Sequence, residues 1–130
     1  RVVDDFFVSG PLQHAALDLV SSPAWRTHAR RVRSGLRERR DALVAALAGD
    51  LPELAPACVP RGGLHLWVRL PDGQDDEAVA RRAAAAGVVV SPGRRWFPGE
   101  APAPHLRLTF GGEPPERITE GVARLATVLR

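Results

Sequence analysis

The sequence contains no lysine: all 18 of its Lys+Arg positions are arginine. No side-chain amine therefore exists in the chain, which excludes a Schiff base between one of its residues and a carbonyl substrate or aldehyde cofactor. Cysteine is nearly absent too, with Cys58 alone. One thiol excludes an internal disulfide framework and any multi-cysteine metal site, and Cys58 is expected to serve as a small, partly buried apolar side chain. The four histidines, His14, His28, His65 and His105, have no metal-ligand spacing and no adjacent acids, so no metal is expected. A nucleophile elbow and a glycine-rich phosphate cradle are both missing. No apolar run approaches the roughly 20 residues of a membrane span. The opening Arg1-Val2-Val3-Asp4-Asp5 lacks the apolar stretch of a signal peptide, so a cytoplasmic location is expected. Methionine is absent throughout, a start Met included, from which a cut N-terminus is expected.

What is present fits one soluble domain. The 130 residues are 45% hydrophobic and 25% charged, with a formal net charge of +3, ordinary proportions for a globular chain. A charge this small does not by itself imply nucleic acid. The uniform choice of arginine, with heavy use of Ala, Gly and Pro, has the character of a high-GC coding bias.

Local signals divide the chain into helices and strands. Ser9-Gly10-Pro11 opens a first helix, with Leu12, Ala15, Ala16, Leu19 and Val20 at helical spacing. Ser22-Pro23 starts a second, long helix that runs to about Ala48 and stops at Gly49. At 1.5 Å per residue it would be about 39 Å long, more than a small core can cover. Trp25, Ala29, Val32, Leu36, Leu43 and Leu47 form its apolar stripe. Leu64, Leu66, Val68 and Leu70 alternate with His65, Trp67 and Arg69 as in a strand. Asp75-Asp76-Glu77 begins a short helix that ends at Gly87, its acidic first turn suited to the helix dipole. Val88-Val89-Val90 is expected to be a short buried strand, followed by a turn-rich loop from Ser91 to Pro104. Leu106, Leu108 and Phe110 alternate with Arg107 and Thr109 as a third strand, and Pro114-Pro115-Glu116 opens a last helix with Ile118, Val122, Leu125 and Leu129 on one face. The expected fold class is α/β (α+β): a small sandwich of a three-stranded sheet with one face packed by helices, preceded by a long helix. Residues 1–50 form the leading helices and 51–130 the small core.

Few residues stand out for chemistry. Arg107 sits on the strand face opposite Leu106 and Leu108, where a planar guanidinium on a rigid element can take a carboxylate bidentately; a solvated cation on an open sheet face is the alternative. Gly62-Gly63 either admits a close approach or makes a turn. Gly93 through Gly99, with Arg94, Arg95, Trp96 and Phe97, mixes cations and aromatics in a loop that could close on a ligand or lie idle on the surface. Arg26, Arg30, Arg33, Arg37 and Arg40 line a second face of the long helix and could follow phosphates. Asp41 and Glu38 interrupt that row, and no nucleic-acid-binding motif accompanies it.

Several of these segments together resemble one family. Gly62-Gly63-Leu64-His65-Leu66-Trp67-Val68 is similar to the GG-hydrophobic-x-LW strand that opens the small-domain sheet of class I/II aminotransferases. Gly87-Val88-Val89-Val90-Ser91-Pro92-Gly93 with Phe97 resembles their G-V-x-V-x-P-G…F segment, and Leu106-Arg107-Leu108-Thr109-Phe110 their LR[LI][SG]F strand. Ser22 to Leu43, ending Arg39-Arg40-Asp41-Ala42-Leu43, resembles the long interdomain helix. The likeness is strongest to the aminotransferase-like half of MocR-type regulators of the GntR family, in which a winged-helix DNA-binding domain precedes a fold type I domain that binds pyridoxal 5′-phosphate (PLP); stand-alone transaminases share the same segments. The resemblance implies that Arg107 binds the α-carboxylate of an amino-acid-like ligand, with Gly63, Pro92, Gly93 and Phe97 lining the cleft. It further implies a homodimer, and a large domain ahead of this segment that carries the cofactor lysine. DNA contact would then come through an N-terminal winged helix outside this chain, and the segment alone would not catalyse.

Overall fold

A computed structural model describes residues 9–54, 56 and 58–130; the opening segment considered above for a signal peptide lies outside them. The chain divides into two compact units, residues 1–35 and 36–130.

The first unit is helical. Helix α1 spans Gly10–Ser21 with proline in its first turn, where a missing N–H costs nothing. Helix α2, Pro23–Asp50, begins in this unit. Ser22 is its cap: the hydroxyl accepts the Trp25 N–H at 3.1 Å and donates to Leu19 O at 2.7 Å. Leu12, Leu19, Val20, Trp25 and Val32 are all exposed, so none of these apolar side chains is part of the core.

The second unit begins with the C-terminal part of α2 and holds the core. Three strands, β1 (His65–Arg69), β2 (Ser91–Pro92) and β3 (His105–Thr109), form an antiparallel sheet in the order β1-β3-β2. Alternation decides its two faces. Leu66, Val68, Leu106 and Leu108 are buried, while His65, Trp67 and Arg69 on β1 are exposed and Arg107 on β3 is half-buried. The buried face packs with Leu43 and Leu47 of α2, with Val79 and Ala83 of α3 (Asp76–Ala85), and with Ile118, Val122 and Leu125 of α4 (Pro115–Leu129). The fold is thus a mixed helical arrangement around a small antiparallel sheet, with helices against one face and the other face open. Arg39 ties α2 to the turn before α4, its Nε–H donating to Glu113 O at 3.0 Å.

Two expectations are corrected. Val88-Val89-Val90 is not a strand: the Val88 N–H donates to Ala83 O at 2.9 Å, closing the end of α3, and Val89 is 87% exposed. The run is apolar and β-branched, but its first donor is spent on the helix end, and ladder pairing starts only at Ser91. Cys58 is exposed rather than partly buried; it lies in the connection between α2 and β1.

Candidate functional site

The open face of the sheet gathers the candidate residues. In the ladder, Arg107 stands opposite Trp67 on one side and Ser91 on the other, and so occupies the central strand. No salt bridge among the described residues involves Arg107. Its guanidinium carbon instead lies 3.6 Å from the centroid of the Trp96 ring, a cation–π contact that leaves the charge uncancelled. Beside it an aromatic cluster forms. Trp67 stacks on His105 with centroids 5.2 Å apart and planes at 22°, and Phe97 meets Trp67 edge-on at 5.6 Å and His105 at 5.7 Å. These contacts are within the range in which aromatic pairs attract beyond simple burial. The result is one cation bordered by rings.

That arrangement depends on the backbone of the following turn. Gly93–Trp96 is a short 3-10 turn entered through Pro92, which pairs with Leu106. A Cβ on Gly93 would lie 2.6 Å from His105 Cβ and 2.7 Å from His105 O, so only glycine lets the turn lie this close to β3. Of the expected cleft residues, Pro92, Gly93 and Phe97 are therefore brought to the central strand. Gly63 lies at the entry to β1 with φ of 87° and nothing near its Cβ position, which makes Gly62-Gly63 a turn rather than a close approach.

The turn is anchored by an acid pair that the helix-dipole reading missed. Asp75 caps α3 by accepting the Glu77 N–H at 3.0 Å, as an acidic N-cap does. Asp76 points inward and is 1% exposed. Its Oδ2 accepts the Arg94 backbone N–H at 2.8 Å and its Oδ1 accepts the Arg94 Nε–H at 2.5 Å, while Arg94 Nη2 donates to Asp75 at 2.6 Å. Burial pushes the Asp76 carboxyl up, but the hydrogen bonds and charge of Arg94 outweigh it and hold the group below its ordinary range. Arg94 is thereby a structural tie and not an available ligand. On β1, His65 is held below its ordinary value, first by desolvation and then by the Arg107 charge.

The arginine row of α2 is less organised. Arg26, Arg30, Arg33 and Arg37 are exposed. Arg40 is diverted, bonding Asp41 at 2.7 Å and Pro60 O at 3.0 Å. The described residues hold no helix long and apolar enough to cross a membrane and no cluster of metal-ligating side chains.

Comparison with known proteins gives a consistent picture. A family model described as aminotransferase class I and II matches residues 1–125. The chain is 35% identical over 94 residues to aromatic-amino-acid aminotransferase 1 of Thermococcus litoralis, covering 72% of this chain and 22% of that protein. It is 30% identical over 122 residues to the HTH-type transcriptional regulator TauR of Rhodobacter capsulatus, covering 93% of this chain and 25% of the regulator. Among solved structures, the α-aminoadipate aminotransferase LysN of Thermus thermophilus, complexed with N-(5′-phosphopyridoxyl)-L-leucine, matches with a TM-score of 0.77 at 32% identity, over 86% of this chain and 28% of that one. The chain thus spans about a quarter of the length of the relatives it matches.

Proposed function

This chain belongs to the class I and II aminotransferase family, and on that premise we propose that residues 1–130 are the C-terminal part of a PLP-dependent protein, in which Arg107 receives the α-carboxylate of an amino-acid ligand. The observation that carries this reading is the placement of Arg107. It lies on the central strand of the open sheet face, bordered by rings and without an acid partner among the described residues. A guanidinium so placed keeps its donor fork for a carboxylate, the planar two-pronged partner it fits best.

The cofactor itself is held elsewhere. PLP is retained covalently through a lysine amine, and the chain has no side-chain amine, so no side chain here fits that role and no step of its chemistry is assigned to this segment. When bound, PLP supplies an electron sink for the amino acid's α-carbon. The part of this chain is to orient the ligand against it, Arg107 fixing one end while Phe97 and Trp67 keep water from that side. A large domain carrying the lysine is the expected partner, within a homodimer. The regulator reading, in which DNA contact comes from a separate winged helix, is supported by the match to the regulator TauR over 93% of this chain. The higher identity to transaminases favours the alternative, amino-group transfer between an amino acid and a 2-oxo acid.

The test is ligand binding by the intact PLP-loaded protein, followed through cofactor absorbance as L-amino acids are titrated in. Arg107→Ala should weaken the response at least about tenfold, since a hydrogen bond to a charged group contributes about 1.5–3 kcal/mol. A response unchanged in Arg107→Ala would overturn the assignment.

A further inference from the structure

We propose that Asp76 and Arg94 are positioning residues for Arg107, acting through Trp96. The inference rests on the reading of Arg107 as the carboxylate receptor and adds the device that aims it.

Arg107 is a long side chain on an open face, and left alone it would sample many rotamers. The Trp96 ring, with its centroid 3.6 Å from the guanidinium carbon, restrains it. Trp96 is itself 55% exposed, so core packing does not fix it. What fixes it is the backbone of the Gly93–Trp96 turn, which is held at three points. Gly93 lies against His105. Arg94 is bound through both its main-chain N–H and its guanidinium to the buried Asp76. Phe97 packs against Trp67 and His105, and its N–H closes the turn on Arg94 O at 3.4 Å.

Of the charged contacts on this turn, which include Asp75 on the same guanidinium, only that to Asp76 is buried. Two oxygens of one carboxylate accept two donors of one residue, which sets the direction of that residue as well as its place. The next residues must follow the turn, so Trp96 arrives over β3 in a set orientation. Asp76 comes from the first turn of α3, a helix whose Val79 and Ala83 are core residues. The orientation of the Arg107 fork is therefore referred back to the core through Trp96, Arg94 and Asp76. Three tiers of contact act in series, none of which requires Asp76 to touch a ligand.

The test reads the Arg107 side chain directly. A guanidinium beneath an indole ring has its Nε–H resonance displaced upfield by the ring, so Trp96→Leu should remove that displacement. Asp76→Asn and Arg94→Ala should move the resonance toward the Trp96→Leu position. In a Trp96→Leu background, Asp76→Asn should move it no further, because coupling through a shared contact vanishes once the contact is gone. A merely structural role for Asp76 would shift the resonance with or without Trp96. The inference is overturned if Asp76→Asn and Arg94→Ala leave the Arg107 resonance where the parent has it, or shift it equally in the Trp96→Leu background. Should either variant fail to fold, Arg94→Lys keeps the charge but not the Nε–H donor to Asp76, and should give a displacement between the two extremes; a parent-like position would overturn the proposal equally. This readout involves no ligand, whereas the Arg107→Ala titration involves no clamp, so a failure of either is told apart from a failure of the other.

Discussion

Arg107 and His65 share the open face of the sheet, and their charges feel one another. Two causes depress His65, with desolvation the larger and the Arg107 charge the smaller. Replacing Arg107 by Gln removes only the second. The His65 titration midpoint should therefore rise in Arg107→Gln, as followed by NMR of the imidazole ring protons against pH. Movement in the opposite direction would mean that Arg107 does not face β1 as the ladder places it. At the same scale, Gly93 shows how small a difference the site tolerates. A single methyl there would meet both side chain and backbone of His105 inside 3 Å, and β3 cannot retreat without losing its ladder to β1.

At the scale of elements, the junction of α3 with the Gly93–Trp96 turn makes stability depend on acid. The groups facing Asp76 are Arg94, whose guanidinium also bonds Asp75, and Glu77, which lies 3.9 Å from Arg94 and 3.6 Å from Arg95. The Asp76 carboxyl is held lower in the folded chain than the roughly 3.9 of an unfolded aspartate. Its contribution to stability is therefore fully present above that value and is lost as pH falls through the lower folded one. Denaturant midpoints measured from pH 7 downward should fall below about pH 4, and the fall should be shallower in Asp76→Asn, which has no proton to take up. An identical acid limb in both proteins would show that Asp76 does not carry this dependence. The same junction explains why Val88-Val89-Val90 leaves the sheet: the end of α3 claims the Val88 N–H, and pairing resumes at Ser91, just before the turn that Asp76 holds.

At the scale of the whole molecule, burial among the described residues is concentrated in the unit from Leu36 onward. Leu47 is fully buried in the cluster that also holds Leu66, Leu106 and Leu125, whereas Val32, earlier on the same apolar stripe, is 42% exposed. Leu47→Ala should lower the unfolding free energy by about 2–5 kcal/mol through lost contacts and a residual cavity, as read from the denaturant midpoint. A change below about 0.5 kcal/mol, the range of ordinary surface substitutions, would place Leu47 outside the core.

Much of this was legible in the residues alone. The lack of lysine excluded a covalent cofactor anchor before any fold was known. Ser22-Pro23 marked the start of α2, period-two alternation separated Arg107 from Leu106 and Leu108, and the glycine, proline and arginine motifs carried the family. Each of these depends on neighbours within a few positions, where backbone geometry alone sets which side chains share a face. Only tertiary structure decided that Val88-Val89-Val90 is not a strand, that Cys58 is exposed, that Asp76 faces inward, and that Trp96 covers Arg107. Asp76 and Arg94 are 18 residues apart, and Trp96 and Arg107 are brought together by the register of β2 on β3. No local pattern encodes such meetings, because they depend on which buried surfaces pack and which donors the helix ends have already used.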